Sequence, residues 1–359
     1  MSGDPVLGAR LRESRERAGL TLAQVGKLAG YSKAQMCNIE AGRKRIFPHV
    51  PLAYERAIRQ ATDMRRRDVV SGVAGALIAP QATSDILLKG FTSALGETPN
   101  GEDWEQQLAE LGRSYMTDGA TVVQQQLAAD LSVLQHSADN ARMWSVAARE
   151  MAIWAKTTAS PGEALDWYQM AGVAAERSGD VDTQVWVAGR AALALGYEGA
   201  ATPMAMWYAD KAITLAGGRV TAGLLNASMG KAHALATSGR SDEAREVWDQ
   251  TQRVYDTLSP DDEITDFNYP YWRFAVVGSL LHARLGDSAA EQWQADVERY
   301  RPESMVRFRT HVELHRALTM ARSGDYVGGV AYGEAALNAL PKEKRSQSLY
   351  LMLDEIKQR

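Results

Sequence analysis

From residue 101 to the C-terminus, apolar positions recur every three to four residues and are broken by glycine and short polar turns. That period is helical, and alternation of period two is hard to find. A longer repeat lies on top of it. A short turn precedes a helix with an aromatic at similar depth in Ser160–Tyr168, Ala201–Tyr208, Gly239–Trp248, Gly286–Trp293 and Gly324–Tyr332. The aromatics are 40, 40, 45 and 39 residues apart. Each turn follows another apolar helix, as in Lys231–Ala236 and Ser279–Leu285. Helix pairs of this size cannot bury their apolar faces alone, so they are expected to stack around one continuous core. Asp103–Gln135 reads as one further, degenerate pair, and Lys342–Arg359 as a polar capping helix.

The first 60 residues carry a different pattern. Counting Leu22 as position one, Val25, Ala29, Tyr31, Met36 and Ile39 fall at four, eight, ten, fifteen and eighteen, the inward positions of two short helices joined by a turn. Position five, where the helices nearly touch, is Gly26, and position nine, in the turn, is Gly30, which tolerates positive φ. Thr21 and Ser32 are candidate N-caps for the two helices. Leu7, Leu11 and Ala18 mark a preceding helix with Arg10, Arg12, Arg15 and Arg17 interleaved, and Leu52–Ala61 a closing one behind Pro51. This many steric requirements in one window favour a helix-turn-helix over an accidental αα-hairpin. The second helix of such a unit enters the DNA major groove. Lys33 can donate to guanine, Asn38 can pair with adenine and Ala34 can meet a thymine methyl. Arg43, Lys44 and Arg45 suit phosphate, which adds affinity without sequence information.

Leu20-Thr21, Gly30, Ser32-Lys33, Ile39-Glu40 and Gly42-Arg43 together resemble the Xre/Cro family of phage-repressor-type DNA-binding domains over residues 5 to about 61. The resemblance implies base contacts for Lys33, Ala34 and Asn38, phosphate contacts for Thr21, Gln35, Arg43 and Lys44, and a structural role for Glu40. It departs from that family at Leu22, where many members have glutamine. The repeats resemble tetratricopeptide repeats, best over Gly239–Tyr255 and Gly286–Tyr300, with a period longer than that family's 34 residues. The expected fold is therefore all-α: a helix-turn-helix domain over 1–63, a linker with an apolar helix over 64–100, and a tetratricopeptide-like α-solenoid over 101–359.

Charge sharpens this division. Residues 1–70 hold 14 Lys and Arg against 7 Asp and Glu, a surplus of +7, whereas the remainder sums to −11. A basic head on an acidic body assigns phosphate to the head. Cys37 is the sole cysteine, which excludes an internal disulfide and suits a cytoplasmic protein. On the reading helix it is expected to be a half-buried filler. Met64–Ala82, with three arginines before an apolar run, resembles a twin-arginine export signal. It follows a complete DNA-binding unit, and its apolar run is too short for a bilayer, so a buried linker helix is expected and no membrane.

In a stack of helix pairs the first helices line the concave groove. Trp144, Trp154, Trp186 and Trp272 fall on first helices, with Arg190, Asn226 and Arg273 as polar groups able to hold a peptide backbone or carboxylate. Trp167, Trp207, Trp248 and Trp293 fall on second helices and read as packing. The acidic, then aromatic insert Ser259–Trp272 reads as a solvated connection, with a lid or partner loop as the alternative. His311 and His315 stand one turn apart without a third ligand or the order of zinc proteases, so no metal is expected. Phosphate-binding loops, dinucleotide fingerprints and nucleophile elbows are absent, and neither a cofactor nor catalysis is expected. The combination resembles bacterial regulators that bind a short signalling peptide, as in quorum sensing, and that work as homodimers on a DNA operator. The alternative is a DNA-tethered scaffold or antitoxin-like adaptor whose repeats hold a partner protein.

Overall fold

The computed structural model describes residues 5–17, 20–29, 31–44, scattered positions between 46 and 57, and 101–358 apart from 135–139 and 159. Gly30, Arg45 and the linker 64–100 with its apolar helix lie outside the described residues. The regular elements among the described residues are α-helices and one three-residue 3-10 turn.

The head contains α1 (Pro5–Arg17), α2 (Leu22–Ala29) and α3 (Lys33–Glu40), with further helical residues at Val50, Ala53, Tyr54 and Ala57. Val25, Met36, Ile39, Leu11 and Tyr54 form its core, with Ala29 and Tyr31 packed alongside. The close approach expected at position five is real. A Cβ on Gly26 would lie 2.6 Å from the Tyr31 carbonyl oxygen, which itself follows a hydrogen bond from Tyr31 N–H to the Gly26 carbonyl at 2.9 Å.

Among the described residues the body contains six antiparallel helix pairs and a final helix: α4 (Gly101–Thr117) with α5 (Ala120–Leu134), α6 (Ala141–Thr157) with α7 (Pro161–Ser178), and α8 (Val181–Glu198) with α9 (Thr202–Ala216). Then come α10 (Ala222–Thr237) with α11 (Ser241–Leu258), α12 (Tyr271–Leu285) with α13 (Ala289–Tyr300), and α14 (Val306–Arg322) with α15 (Tyr326–Ala339). The degenerate pair is thus a full one. Capping explains the turns: Ser160 accepts from Glu163 N–H ahead of Pro161, and Asp180 accepts from Asp182 and Thr183 N–H.

First helices pack on first helices from α4 through α14. The tightest of these contacts is α8 on α10. Gly189 and Gly196 on one helix face Gly223 and Gly230 on the other, and a Cβ on any of the four would strike the facing backbone. Two glycines seven residues apart stay on one helix face, so the backbones touch over two turns. The core runs unbroken from Trp104 to Leu285, with a second cluster beneath α14 to α16 (Gln347–Lys357).

The stack bends until its ends meet. Arg307, at the start of α14, donates to the Tyr115 carbonyl at the end of α4, 192 residues away in sequence. The 3-10 turn Lys342–Lys344 lies against Gly119, and α16 reaches back to α8. There Glu355 accepts from Arg284 at 2.8 Å, while Arg284 also donates to the Gly196 and Tyr197 carbonyls. The C-terminal segment is therefore more than a polar cap, since Leu349, Met352, Leu353 and Ile356 are buried.

The insert between α11 and α12 is solvated in its acidic first half, where Ser259 and Asp261–Glu263 are exposed, and turns inward in its second half. Asp266 and Tyr269 are buried, Phe267 packs on Trp186, and Asp266 N–H donates to the Gly112 carbonyl at 2.9 Å. Head and body touch where α1 rests on α9, with Arg10 paired to Asp210, which also accepts from Lys231 at 2.9 Å.

Candidate nucleic-acid interface and internal cavity

Helix α3 is fixed at both ends. Ser32 caps it with extended backbone; Gln35 N–H donates to Ser32 Oγ at 3.3 Å and Ser32 N–H to Gln35 Oε1 at 2.8 Å. Thr21 and Gln24 repeat the exchange at the start of α2. Thr21 and Gln35, expected at phosphate, therefore also hold the two helix N-termini, and the Gln35 amide nitrogen is left as its donor. At the other end Glu40 is buried beneath α1. It takes two hydrogen bonds from Arg15, at 2.7 and 2.8 Å, and one from Tyr54 Oη at 2.6 Å. Glu40 raises the Arg15 guanidinium above its ordinary value against the opposing effect of burial. The structural role implied for Glu40 is thus explicit, and Arg15 and Tyr54 are partners that the hydrophobic pattern did not single out.

With Met36, Ile39 and Glu40 facing inward, α3 turns Lys33, Ala34, Cys37 and Asn38 to one face. Lys33 and Ala34 are exposed and Asn38 is half-buried, its backbone carbonyl accepting from Arg43 N–H at 2.8 Å. Arg43 and Lys44 follow, both exposed. Cys37 is exposed too, a correction to the half-buried filler expected of it, because the core positions on either side rotate it outward.

The body holds a cavity of about 110 Å³. Arg190, Arg273, Lys156, Arg307, Tyr197 and Phe308 are among its lining residues. Beneath it Asp266 accepts from Arg190 at 2.6 Å, from Arg273 at 2.8 Å and from Lys156. Burial alone would raise the Asp266 carboxyl, but the three cations hold it far below the usual carboxylate range. Of the groove candidates, only Arg190 and Arg273 line this cavity. Trp186 is covered by Phe267, Trp272 packs on Phe308, Trp154 on Trp167, and Trp144 lies under the Arg177 guanidinium. Asn226 is buried with its amide unpartnered. These tryptophans are on first helices as expected, but the inward insert and neighbouring side chains take the space a groove would have needed.

Lys156, Arg307 and Asp266 escaped the sequence reading because a single charge in an apolar helix or an acidic loop reads as solvated. Their signal is the combination: one buried acid shared by helices that are distant in sequence. Beside the cavity, Tyr197 Oη bonds both His311 Nδ1 at 3.2 Å and His315 Nε2 at 3.0 Å. The histidine pair is thus a buried hydrogen-bonded cluster, and no group of three metal-ligating side chains occurs among the described residues.

Residues 6–68 match the family model described as a helix-turn-helix domain. No curated protein and no solved structure matches the chain. Among the described residues, no helix is long and apolar enough to cross a membrane.

Proposed function

We propose that this protein is a sequence-specific DNA-binding transcriptional regulator whose operator affinity responds to a ligand held in the helical body. The observation that carries it is the α3 face. Lys33, Ala34 and Asn38 stand together on a helix whose start is capped and whose end is pinned by Arg15–Glu40, in a segment matching a helix-turn-helix family. A rigid reading helix with an exposed donor-bearing face is what major-groove recognition needs. Arg43 and Lys44 supply phosphate contacts beside it. One head covers one half-site, so the reading includes a homodimer on a pseudo-palindromic operator.

The likeness of the repeats to tetratricopeptide arrays supports a sensing role for the body, with a short peptide among the ligands such arrays take. The cavity volume suits a single residue or a small molecule better than an extended chain. Contact between α1 and α9 supplies a route, because α1 also braces α3 through Arg15. A ligand acts on the operator only by preferring one of two body conformations.

The test is capture of genomic fragments by the full-length protein at controlled salt. A two-half-site motif that is lost with Lys33→Ala supports the reading. Diffuse binding, equally weakened at all sequences by salt, contradicts it and favours the adaptor, in which the repeats hold a partner protein.

A further inference from the structure

Three cations surround one carboxylate at the floor of the cavity. Lys156, Arg190 and Arg273 are each about nineteen-twentieths buried by their side-chain exposures of 5–6% and share Asp266. Arg307 adds a fourth positive charge at the wall, and Glu198 is the one carboxylate among the lining residues. With Lys156 protonated, four cations against Asp266 and Glu198 leave a surplus of two positive charges, one of them on the half-buried Arg307. Buried charge without a counterion is costly, and a site of this kind is completed by an anion.

Two guanidinium groups keep donors without an acceptor: Arg307 beyond the one it gives the Tyr115 carbonyl, and Arg190 at its buried Nε. Arg190 donates through its two terminal nitrogens, to Tyr269 Oη at 2.7 Å and to Asp266, while its Nε has no partner. Arg307 is half-buried, lies over the Tyr115 and Phe308 rings at 5.1 and 5.3 Å, and has no acidic partner among the described residues. Guanidinium groups bind carboxylate and phosphate oxygens through paired N–H donors. Leu193, Val276, Val277, Phe308 and the Tyr197 ring give the wall apolar surface, with His311, Ser346 and Ser348 as further polar groups. The volume is on the scale of the ~150 Å³ apolar cavity that admits benzene.

We infer that the cavity binds a small organic oxyanion, a carboxylate or phosphate monoester on a body of one ring or its equivalent, with the charged end toward Arg307 and Arg190. The inference rests on the reading of the body as the ligand-responsive unit and assigns the chemical class of that ligand. Burial and the neighbouring Arg190 push the Lys156 ammonium below its ordinary value, and an anion beside it would favour the charged form.

Calorimetric titration of the full-length protein with benzoate, phenyl phosphate and neutral benzamide tests this. The expected result is that at least one anion binds, that benzamide does not, and that Arg307→Gln weakens the anion about tenfold or more while Arg307→Lys recovers part of the loss. The better-bound anion identifies carboxylate or phosphate as the preferred head. The inference is overturned if neither anion binds at millimolar concentration, if benzamide binds as well as benzoate, or if Arg307→Gln binds like the parent. Unchanged circular dichroism of Arg307→Gln guards against misfolding, and Arg307→Lys serves as the second variant. Repeating the titration with captured operator DNA separates the two readings. Anion binding with no change in operator affinity leaves the site standing and removes the regulatory role.

Discussion

Lys33 and Asn38 differ from Arg43 and Lys44 in what each can read. A side chain at a base edge discriminates, whereas one at phosphate binds any sequence. Lys33→Ala and Asn38→Ala should each cost ~1–3 kcal/mol at the operator and little on unrelated DNA, measured by competition binding. Lys44→Ala should weaken both alike and reduce the salt slope by about one. Cys37 supplies an independent probe of the same face, since it is exposed between Ala34 and Asn38. Bound operator should protect Cys37 from maleimide; equal labelling with and without DNA would place α3 away from the groove. Beneath that face, Glu40→Gln leaves the buried Arg15 charge with only the exposed Glu16 carboxylate, at 3.2 Å, as counterion. Breaking a buried pair in this way costs ~3–5 kcal/mol, and hydrogen exchange of α3 amides in the full chain should accelerate accordingly.

At the scale of elements, the repeat was legible because one aromatic recurs at one depth in each second helix, and side-chain period needs no knowledge of the neighbour. The α8–α10 contact was less so. Gly189, Gly196, Gly223 and Gly230 look like breakers within apolar helices, and only the facing backbone explains them. Gly230→Ala gains helix propensity of ~1 kcal/mol but drives a methyl into the Ala192 backbone, so a net loss of ~1–3 kcal/mol is expected in thermal unfolding. Gly172 in α7 is the control, with nothing within 4 Å of an added Cβ. Gly172→Ala should stabilise by up to ~1 kcal/mol. If both substitutions move the midpoint the same way, helix propensity alone decides, and the close packing of α8 on α10 carries no weight.

The whole molecule is where the sequence was least informative. Tyr115 meets Arg307 across 192 residues, and Asp266 gathers cations from α6, α8 and α12. No local pattern encodes such meetings, which is why the inward half of the insert read as solvated and the groove as open. The same closure buries three histidines. Burial lowers His311 to about 3, with Arg307 adding to the effect; burial also lowers His233, helped by Arg284, and His315, helped by His311. Each stays neutral when folded and takes a proton near pH 6.5 when unfolded. Their contribution is therefore complete above about pH 6.5 and is lost as pH falls toward the folded values, at up to ~1.4 kcal/mol per pH unit for each histidine. Denaturant midpoints from pH 7.5 to 5 should fall, and, with the lowered His282 also contributing, His311→Gln should flatten the slope by about a quarter to a third. Asp266 adds its own acid sensitivity only below about pH 4, nearer the ordinary aspartate range.

The proposed coupling between body and head belongs to this scale as well. Asp210 is bridged by Arg10 from the head and Lys231 from the body, so Asp210→Asn should leave operator affinity of the unliganded protein within about twofold and reduce the change that ligand produces. The proposed regulatory role depends on the α3 face reading DNA. The most direct measurement is genome-fragment capture by the full-length protein in parallel with its Lys33→Ala variant. A sharp paired half-site motif, present for the parent and absent for the variant, is the predicted result. Indistinguishable, motif-free recovery by the two proteins would contradict it.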